Sequence, residues 1–363
     1  MSEPGRGGVA HLMIPGPCRL DPADEELLGG PIQPHYGPRW SAYLRQVLDD
    51  LAALLGAAHT YLLPGSGSAG LDAALFNVFE PGQRVVVVDS GYFGDRLMAM
   101  ARAHDLEVRV APCPPGRPAD PGRVAELLPG SHGLLVTQVE TATGVRHPVR
   151  QLAAAARAAG AVTLVDAIAS AGGEHIDMAR MGVDALVSAS QKGLGGAPGL
   201  AVVALSDSGR QRVRSRSRRP RSWYLDLATW DRAAMESPDW EPTPVTMPTN
   251  LIHVLGNSVR RIRSCGIEAW IDRRSRLAGE CRDGVRRLGL HVPAPEEYAA
   301  NLVVVVRDPR ADVIRARLAE AGIMVAGGLS PFADGAFRIG LVGRAATGAM
   351  VGMLLREIAR ALR

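Results

Sequence analysis

Lysine is almost absent from this 363-residue chain, because the 41 lysine and arginine residues include a single lysine, Lys192. Arginine can replace lysine at most solvated positions. It cannot do so where an amine must lose its proton and attack a carbonyl carbon, because the guanidinium stays charged. Lys192 is therefore a candidate catalytic residue, and its neighbours in the sequence must show which chemistry it serves.

Other features that the sequence lacks exclude several classes of protein. No apolar run reaches the ~18 residues of a membrane span, and the first residues lack the apolar segment of a signal peptide. The cysteines are widely spaced without a CxxC pair, so we expect reduced thiols in a cytoplasmic protein and no metal site. Aromatic residues make up 4%, so alanine, valine and leucine must build the core.

Apolar runs alternate with helical patterns over the first two thirds of the chain. We predict strands at 84–90, 133–139, 162–167, 185–190 and 200–205. Continuous apolar strands alternating with helices are typical of a mostly parallel sheet covered on both faces. A helix over 250–290 and strands at 301–306 and 337–342 predict a small α+β domain. The expected organisation is an arm (1–20), a large domain (21–255) and a small domain (256–363).

Polar and glycine-rich segments lie at the ends of the predicted strands. Because ligands of parallel sheets bind beyond the carboxyl ends of the strands, we expect these segments to converge on one crevice. The segments are 66–70, 90–96, 140–144, 166–170 and 191–192.

These segments contain the residue types that bind pyridoxal 5′-phosphate (PLP). The glycine-rich turn at 65–70 leads into a helix and offers N–H groups and hydroxyls to a phosphate. Asp166 can keep the ring nitrogen protonated, and Phe93 is the best-placed aromatic to lie on the ring. Taken singly, a tight turn, a helix cap and core packing would explain these features. Their combination favours PLP held by Lys192 as a Schiff base.

The same motifs resemble those of class V aminotransferases, the alanine–glyoxylate and serine–pyruvate group of the fold-type I PLP enzymes. The resemblance covers nearly the whole chain and rests on IPGP (14–17), GSGSAGLDAAL (65–75), SGYFGDR (90–96), ETATG (140–144), VDAIAS (165–170), SASQKGLGGAPG (188–199) and FRIGLVG (337–343). It implies an α/β fold with a mostly parallel large-domain sheet flanked by helices and a small α+β C-terminal domain. The implied activity moves an amino group from an alanine- or serine-like α-amino acid to a 2-oxo acid such as glyoxylate or pyruvate.

The resemblance also implies roles for individual residues. The implied phosphate contacts are Ser66, Gly67, Ser68 and Gln191. Thr141 is implied to contact the 3′-oxygen or the ring, and Arg338 to pair with the substrate carboxylate. Thr246 matches a residue that crosses a dimer interface to the partner's phosphate, so a homodimer with shared active sites is expected. His35 is a candidate substrate contact, although a surface-loop histidine is the simpler interpretation.

Some positions depart from the family pattern and leave the substrate open. Gln138 and Thr243 stand where the family has histidine and tyrosine, and Tyr36 follows His35 where it has arginine. Another PLP reaction on the same fold, such as a lyase, a decarboxylase or a specialised biosynthetic transaminase, is therefore an alternative. Cysteine desulfurases place histidine before the lysine, whereas this chain has Gln191.

An alternative of a different class is nucleic-acid binding through the six arginines between positions 212 and 221. A basic run is more often a solvated loop. The neighbouring Trp223 and Tyr224 fall in a stretch similar to one found in the family. We therefore expect amino acid and 2-oxo acid substrates, and neither nucleic acid nor a membrane as a partner.

Overall fold

The computed structural model describes residues 11–218 and 221–363. Residues 1–10 of the predicted arm, together with Arg219 and Pro220 of the arginine-rich stretch, lie outside the described residues. None of the helices in the described ranges combines the length and the apolar character needed to cross a bilayer.

The described chain alternates strands with helices over most of its length. The strands are β1 (His11–Leu12), β2 (His59–Pro64), β3 (Arg84–Asp89), β4 (Glu107–Pro112), β5 (Gly133–Thr137), β6 (Val139–Glu140), β7 (Val145–Arg146), β8 (Val162–Asp166), β9 (Ala185–Ala189), β10 (Leu200–Leu205), β11 (Val303–Arg307), β12 (Ile323–Met324), β13 (Ala326–Gly327) and β14 (Ala336–Gly340). The helices are α1 (Pro22–Leu28), α2 (Pro38–Leu55), α3 (Gly67–Val78), α4 (Tyr92–Ala103), α5 (Pro121–Leu127), α6 (Val149–Ala158), α7 (Met178–Met181), α8 (Asp207–Arg214), α9 (Leu227–Glu236), α10 (Thr249–Ser264), α11 (Ile267–Arg287), α12 (Ala311–Glu320) and α13 (Gly348–Ala361).

Seven strands form the central sheet in the order β2-β10-β9-β8-β5-β3-β4. The strands from β9 to β4 are parallel, whereas β10 runs antiparallel to both β9 and β2. The inner strands β5, β8, β9 and β10 are buried at every residue. This agrees with the prediction of a mostly parallel sheet covered on both faces.

The predicted long helix over 250–290 is wrong, because the chain forms α10 and α11 with a break between them. Helix α10 ends at Ser264 with Cys265 as its C-cap, and Gly266 follows with a φ of +79° that other residues rarely adopt. Helix α10 packs on the larger core through Ile252, Val259 and Ile262. The break allows α11 to turn towards the C-terminal elements.

A second core contains the C-terminal elements. The antiparallel strands β11, β14 and β13 form its sheet, and residues of α11, α12 and α13 such as Leu277, Ile314 and Leu354 pack against it. The N-terminal strand β1 joins this part of the molecule, since His11 pairs with Ile323 of β12. The C-terminal part is therefore α+β, as the sequence predicts.

Candidate active site

The carboxyl ends of β3, β5, β8 and β9 meet at one edge of the central sheet because these strands are parallel. The antiparallel β10 begins at the same edge, where Leu200 pairs with Pro64 at the end of β2. The turn after β2 therefore joins them, and the Gly65 N–H donates to the Gly199 carbonyl at 2.8 Å. The five predicted segments thus converge as expected.

Lys192 follows β9 by three residues and is half-buried at this edge. Burial lowers the pKa of its ammonium, and the positive charge of Arg338 lowers it further, while Asp166 opposes the shift. A lysine whose pKa is lowered has more of the neutral amine that attacks a carbonyl. The surroundings of Lys192 therefore favour the nucleophilic form.

The segment before Cys18 covers Lys192. The Nζ atom donates to the Pro15 carbonyl at 2.8 Å. A Cβ atom on Gly16 would lie 2.4 Å from Lys192 Cδ, and the φ of Gly16 is +111°. Gly16 therefore leaves the space in which the lysine side chain lies.

Asp166 ends β8 and is 4% exposed. One carboxylate oxygen accepts from the Ile168 N–H at 2.9 Å, and no hydrogen bond within the described ranges reaches the other. Burial raises the pKa of Asp166 to about 6, although this hydrogen bond and the charges of Arg96 and Lys192 lower it. A buried carboxylate with a free oxygen fits a protonated ring nitrogen.

The predicted phosphate turn forms the N-terminus of α3. Ser66 is the N-cap, and its hydroxyl accepts from the Ala69 N–H at 3.4 Å. The N–H groups of Gly67 and Ser68 have no acceptor among the described residues, and the first turn contains no acidic residue. A Cβ on Gly67 would come within 2.6 Å of Ile168, so the helix start packs beside the Asp166 loop. The turn offers free donors to an anion.

Phe93 lies in the first turn of α4, so most of the strand-end segment 90–96 is helical. The carboxylate of Glu140 holds this helix start. It accepts from the Phe93 N–H at 2.8 Å and the Gly94 N–H at 3.2 Å, and its other oxygen accepts from the Ala142 N–H at 2.9 Å. Burial raises the pKa of Glu140 to about 7, against the effect of these three bonds. Glu140 was not among the predicted site residues.

Arg96 is a second residue that the sequence did not single out. Its guanidinium carbon lies 4.9 Å from the centre of the Phe93 ring and 5.1 Å from that of Tyr92. Its charge also lowers the pKa values of Asp166 and Lys192. The GYFGDR motif therefore supplies a cation as well as an aromatic ring.

Arg338 projects from β14 of the C-terminal part and is half-buried. Its Nε donates to the Gly327 carbonyl at 2.7 Å, which orients the guanidinium. Its two terminal nitrogens have no partner within the described chain. This geometry leaves a forked pair of donors for a carboxylate, close enough to Lys192 for its charge to lower the lysine's pKa.

The three remaining predicted site residues, Thr141, His35 and Thr246, lie in different surroundings. Thr141 is 3% exposed and follows Glu140 directly. His35 lies 3.6 Å from Glu241 and packs edge-on against Tyr36, and Thr246 is exposed. In the described ranges, no hydrogen bond or ion pair joins His35 or Thr246 to the other predicted site residues.

The groups left free at this edge fit PLP. The Gln191 side chain makes no hydrogen bond within the described chain, so its NH2 group can donate to a phosphate. The start of α3 supplies N–H donors, Asp166 supplies a carboxylate and Lys192 supplies an amine. Each group of the cofactor that needs a partner thus finds one of the required chemistry.

Comparison with known proteins identifies the same chemistry. Residues 32–339 match the family model described as aminotransferase class-V. L-aspartate–glyoxylate aminotransferase of Paracoccus denitrificans is 31% identical over 350 residues, 92% of this chain and 86% of that protein. Alanine–glyoxylate aminotransferase of Oryctolagus cuniculus is 30% identical over 366 residues, 97% and 92% of the two chains.

Solved structures extend the comparison to the fold. The crystal structure of alanine–glyoxylate aminotransferase from Nostoc sp. superposes with a TM-score of 0.93 at 27% identity, covering 100% of this chain and 98% of that one. The two chains therefore share the fold over nearly their whole lengths.

Proposed function

The chain belongs to the class-V aminotransferase family, and from this membership we propose that it exchanges an amino group between alanine or serine and glyoxylate or pyruvate. The enzyme is a PLP-dependent aminotransferase that acts on α-amino acids and 2-oxo acids. Two relatives whose names specify glyoxylate as a substrate support this acceptor. The observation that carries the proposal is that Lys192 and Asp166 lie at one edge of the central sheet, while Arg338 of β14 is close enough for its charge to lower the pKa of Lys192.

PLP, when bound, supplies an aldehyde that combines with amines and a protonated ring that withdraws electrons from the substrate's α-carbon. We propose that the N-terminus of α3 and the Gln191 amide hold its phosphate. In this arrangement Asp166 keeps the ring nitrogen protonated, and the Phe93 side chain limits the movement of the ring.

Lys192 has two tasks in this proposal. Its amine anchors the cofactor aldehyde, which requires the neutral form that burial favours. Once free, the Lys192 amine would take the proton from the α-carbon of the substrate and hold it at Nζ, so that it would act as general base and then as general acid. The hydrogen bond of 2.8 Å from Nζ to the Pro15 carbonyl keeps the amine beside the carboxyl ends of the strands.

Arg338 binds the α-carboxylate of both substrates. The bond from its Nε to Gly327 fixes the plane of the guanidinium, so the two terminal nitrogens face the carboxylate as a pair. Lysine could not provide this two-point contact. The fixed carboxylate positions the α-carbon for Lys192.

Half-reactions of the purified holoenzyme test the proposed substrates. Alanine or serine should bleach the yellow absorbance of the bound cofactor, and glyoxylate or pyruvate should restore it. Aspartate serves as the comparison donor because one relative is named for it. If neither alanine nor serine changes the absorbance while another amino acid does, the proposed donor class is wrong.

We further propose a homodimer in which Thr246 contributes to the partner's cofactor site. Ile32, Tyr36 and Trp240 expose 88%, 49% and 57% of their surfaces, and the rings of Tyr36 and Trp240 stack at 6.0 Å. An exposed apolar cluster of this kind is typical of an interaction surface. The Thr249 hydroxyl donates to the Gln33 carbonyl at 3.0 Å, so the start of α10 is joined to the segment that contains Ile32 and Tyr36.

Sedimentation of variants tests the homodimer. Tyr36→Ser combined with Trp240→Ser should produce monomers that retain less cofactor. Trp223→Ser removes an aromatic that is 60% exposed outside this cluster and serves as the control. A double variant that stays dimeric, or a monomeric wild type, would contradict the proposal.

We also propose a cytoplasmic location, which the four free cysteines support.

A further inference from the structure

A groove of about 680 Å³ lies between the start of α11 and the start of α13. We call it the α11–α13 groove. The lining residues that matter here are Trp270, Arg273, Arg274, Arg276, Glu280 and Gly348. None of them is among the residues assigned to PLP or to the substrate, so the groove is separate from the site at the strand ends.

Arg274 is a buried cation without a neutralising partner. It is 9% exposed, and no ion pair or hydrogen bond reaches it within the described ranges. Its guanidinium carbon lies 4.5 Å from the centre of the Trp270 ring, and that of Arg273 lies 5.0 Å away. The indole N–H donates to the Gly172 carbonyl at 2.9 Å, so the ring is fixed.

Arg274 stays charged at neutral pH despite its burial. Burial and the like charge of Arg273 lower the pKa of Arg274 to about 10, which is still well above neutrality. Burying a charge without an opposite charge is unfavourable, because the charge loses its hydration. An anion in the groove would offset that cost, and the described chain offers Arg274 no carboxylate that does so.

The remaining charges of the groove also favour an anion. Arg261 at its rim is already paired with Asp21 and Asp24. Arg273 and Arg276 form no ion pair within the described chain, and Glu280 is the only carboxylate among the lining residues. Glu280 is exposed and forms no ion pair with these arginines. The local charge is therefore positive.

The N-terminus of α13 adds hydrogen-bond donors to the groove. This 14-residue helix has Thr347 as its N-cap, whose hydroxyl accepts from the Met350 N–H at 3.2 Å. Its first turn contains no acidic residue. The N–H groups of Gly348 and Ala349 have no acceptor in the part of the chain that the structure describes. Such helix starts bind phosphate and carboxylate groups.

We propose that the α11–α13 groove binds a small organic phosphate monoester, with its phosphate between Arg274 and the N-terminus of α13. The shape and charge of a phosphate match a guanidinium and free N–H groups. The volume lies within the roughly 300–1,000 Å³ of small-molecule sites and leaves room for an organic group beyond the phosphate. The site needs no assumption about the amino donor or acceptor.

Calorimetric titration of the PLP-loaded holoenzyme tests this site, because bound cofactor blocks the phosphate turn of α3. Glycerol 3-phosphate should bind more tightly than inorganic phosphate, and glycerol should not bind. Arg274→Gln should weaken glycerol 3-phosphate binding by at least about 10-fold through loss of a charge-assisted contact. Arg287→Gln, which removes an exposed charge from the far end of α11, should leave binding unchanged.

A second pair of variants separates binding from folding. A Cβ on Gly348 would meet no atom within 4 Å, and a glutamate in the first turn is favourable for a helix. Gly348→Glu should therefore keep the wild-type melting temperature and weaken glycerol 3-phosphate binding, whereas Gly348→Ala should keep both. Equal binding by wild type, Arg274→Gln and Gly348→Glu, or equal binding of glycerol and its phosphate, would overturn the proposal.

Discussion

At the scale of single residues, burial shifts the pKa values of the ionisable groups in the strand-end site towards neutral pH. It lowers the pKa of Lys192 and raises the pKa values of Asp166 and Glu140 to about 6 and about 7. A lysine with a lowered pKa holds more of the neutral amine, which can accept a proton. Because each of these shifts has burial as its largest cause, the closing of the site by neighbouring segments is part of its chemistry.

Lys192→Arg should fold and retain PLP without a covalent link. Arginine fills a similar volume, but its guanidinium stays charged and cannot attack the aldehyde. We expect turnover to fall by at least about 10³-fold, within the range of general acid–base effects. Borohydride reduction followed by mass spectrometry should add the cofactor to the wild type and not to the variant. Substantial activity in the variant would remove Lys192 from the centre of the mechanism.

Glu140→Gln tests whether Glu140 positions Phe93. Glutamine has one acceptor oxygen, so its NH2 group must face either Ala142 or the pair of Phe93 and Gly94. Losing hydrogen bonds to a charged acceptor costs about 1.5–3 kcal/mol, so we expect kcat/KM to fall by roughly 10- to 100-fold. The circular dichroism of the bound cofactor should weaken as its ring partner loosens.

Glu126→Gln changes an exposed carboxylate on the same domain and is the matched control for Glu140→Gln. It should leave both kcat/KM and the cofactor signal unchanged. If Glu140→Gln lowers the melting temperature but keeps the kinetics and the cofactor signal, Glu140 acts on stability alone and does not position Phe93.

The sequence predicted the residues whose chemistry only a few residue types can perform. Lys192 and Asp166 fall in this class, and both lie at the carboxyl ends of neighbouring strands of the central sheet. Glu140 and Arg96 were missed because their roles depend on where α4 begins. Glu140 accepts from the backbone N–H groups of Phe93 and Gly94, in a segment for which the sequence predicted no helix. Only the helix geometry turns those groups towards the carboxylate.

At the scale of elements, the segment 14–17 connects the C-terminal core to the lysine. The Gly340 N–H donates to the Met13 carbonyl at 2.8 Å, and the Cys18 N–H donates to the Gln191 carbonyl at 3.0 Å. The chain between them passes over Lys192 with Gly16 in a conformation that disfavours side chains. Gly16 is therefore required for two reasons: the Lys192 side chain lies too close for a Cβ atom, and the φ angle is one that other residues rarely adopt.

Gly16→Ala should displace Lys192. The new Cβ would lie 2.4 Å from Cδ of the lysine, so the side chain or the segment must move. We expect the covalently bound fraction of PLP to fall and kcat to drop by about 10-fold or more, since misplacing a reacting group by 1 Å can cost 10²-fold. Absorbance titration with PLP and steady-state kinetics measure the two effects.

Gly82→Ala is the control for Gly16→Ala, because Gly82 also has a positive φ, +84°, but no atom lies within 4 Å of its Cβ position. Both variants share a backbone cost of the order of 1–2 kcal/mol. Only Gly16→Ala should lose bound cofactor at a temperature where both are folded. Equal losses would show that backbone strain, and not the contact with Lys192, is the cause.

In the central sheet, the strands that the sequence missed are the two edge strands, β2 and β4. Inner strands such as β5 and β8 are buried at every residue and therefore read as continuous apolar runs. Strands β2 and β4 contain histidine, glutamate, arginine and proline, because their outer sides are partly exposed. The break before Gly266 was missed for a related reason: the apolar pattern of α10 continues into α11, and one glycine in a helical pattern is a weak signal.

At the scale of the whole molecule, a few polar contacts join the two cores beside the site. The Tyr92 N–H donates to the Ser330 carbonyl at 3.1 Å. Glu174 accepts from the N–H of Asn301 at 2.6 Å and from its side-chain amide at 2.9 Å. Because Arg338 lies on the C-terminal side and Lys192 on the other, these contacts set the distance between the groups that bind and react with the substrate.

Glu174→Gln should change how the stability of the whole molecule depends on pH. Glu174 is 3% exposed, and burial raises its pKa to about 7 although Asn301 and the charges of Arg146 and Arg282 lower it. The unfolded value is about 4.3, so between pH 4.3 and 7 the folded chain binds a proton that the unfolded chain has released. The contribution of Glu174 to stability must therefore fall as the pH rises through this window.

Urea unfolding of the holoenzyme at pH 5.5 and pH 8 measures this effect. The free energy of unfolding of the wild type should fall more between these values than that of Glu174→Gln, by about 2 kcal/mol at most. The raised pKa values of Glu140 and Asp166 act in the same direction in both proteins and therefore cancel in the comparison. Glu126→Gln should follow the wild type. Parallel pH profiles for wild type and Glu174→Gln would mean that the contact between the cores holds an already ionised carboxylate.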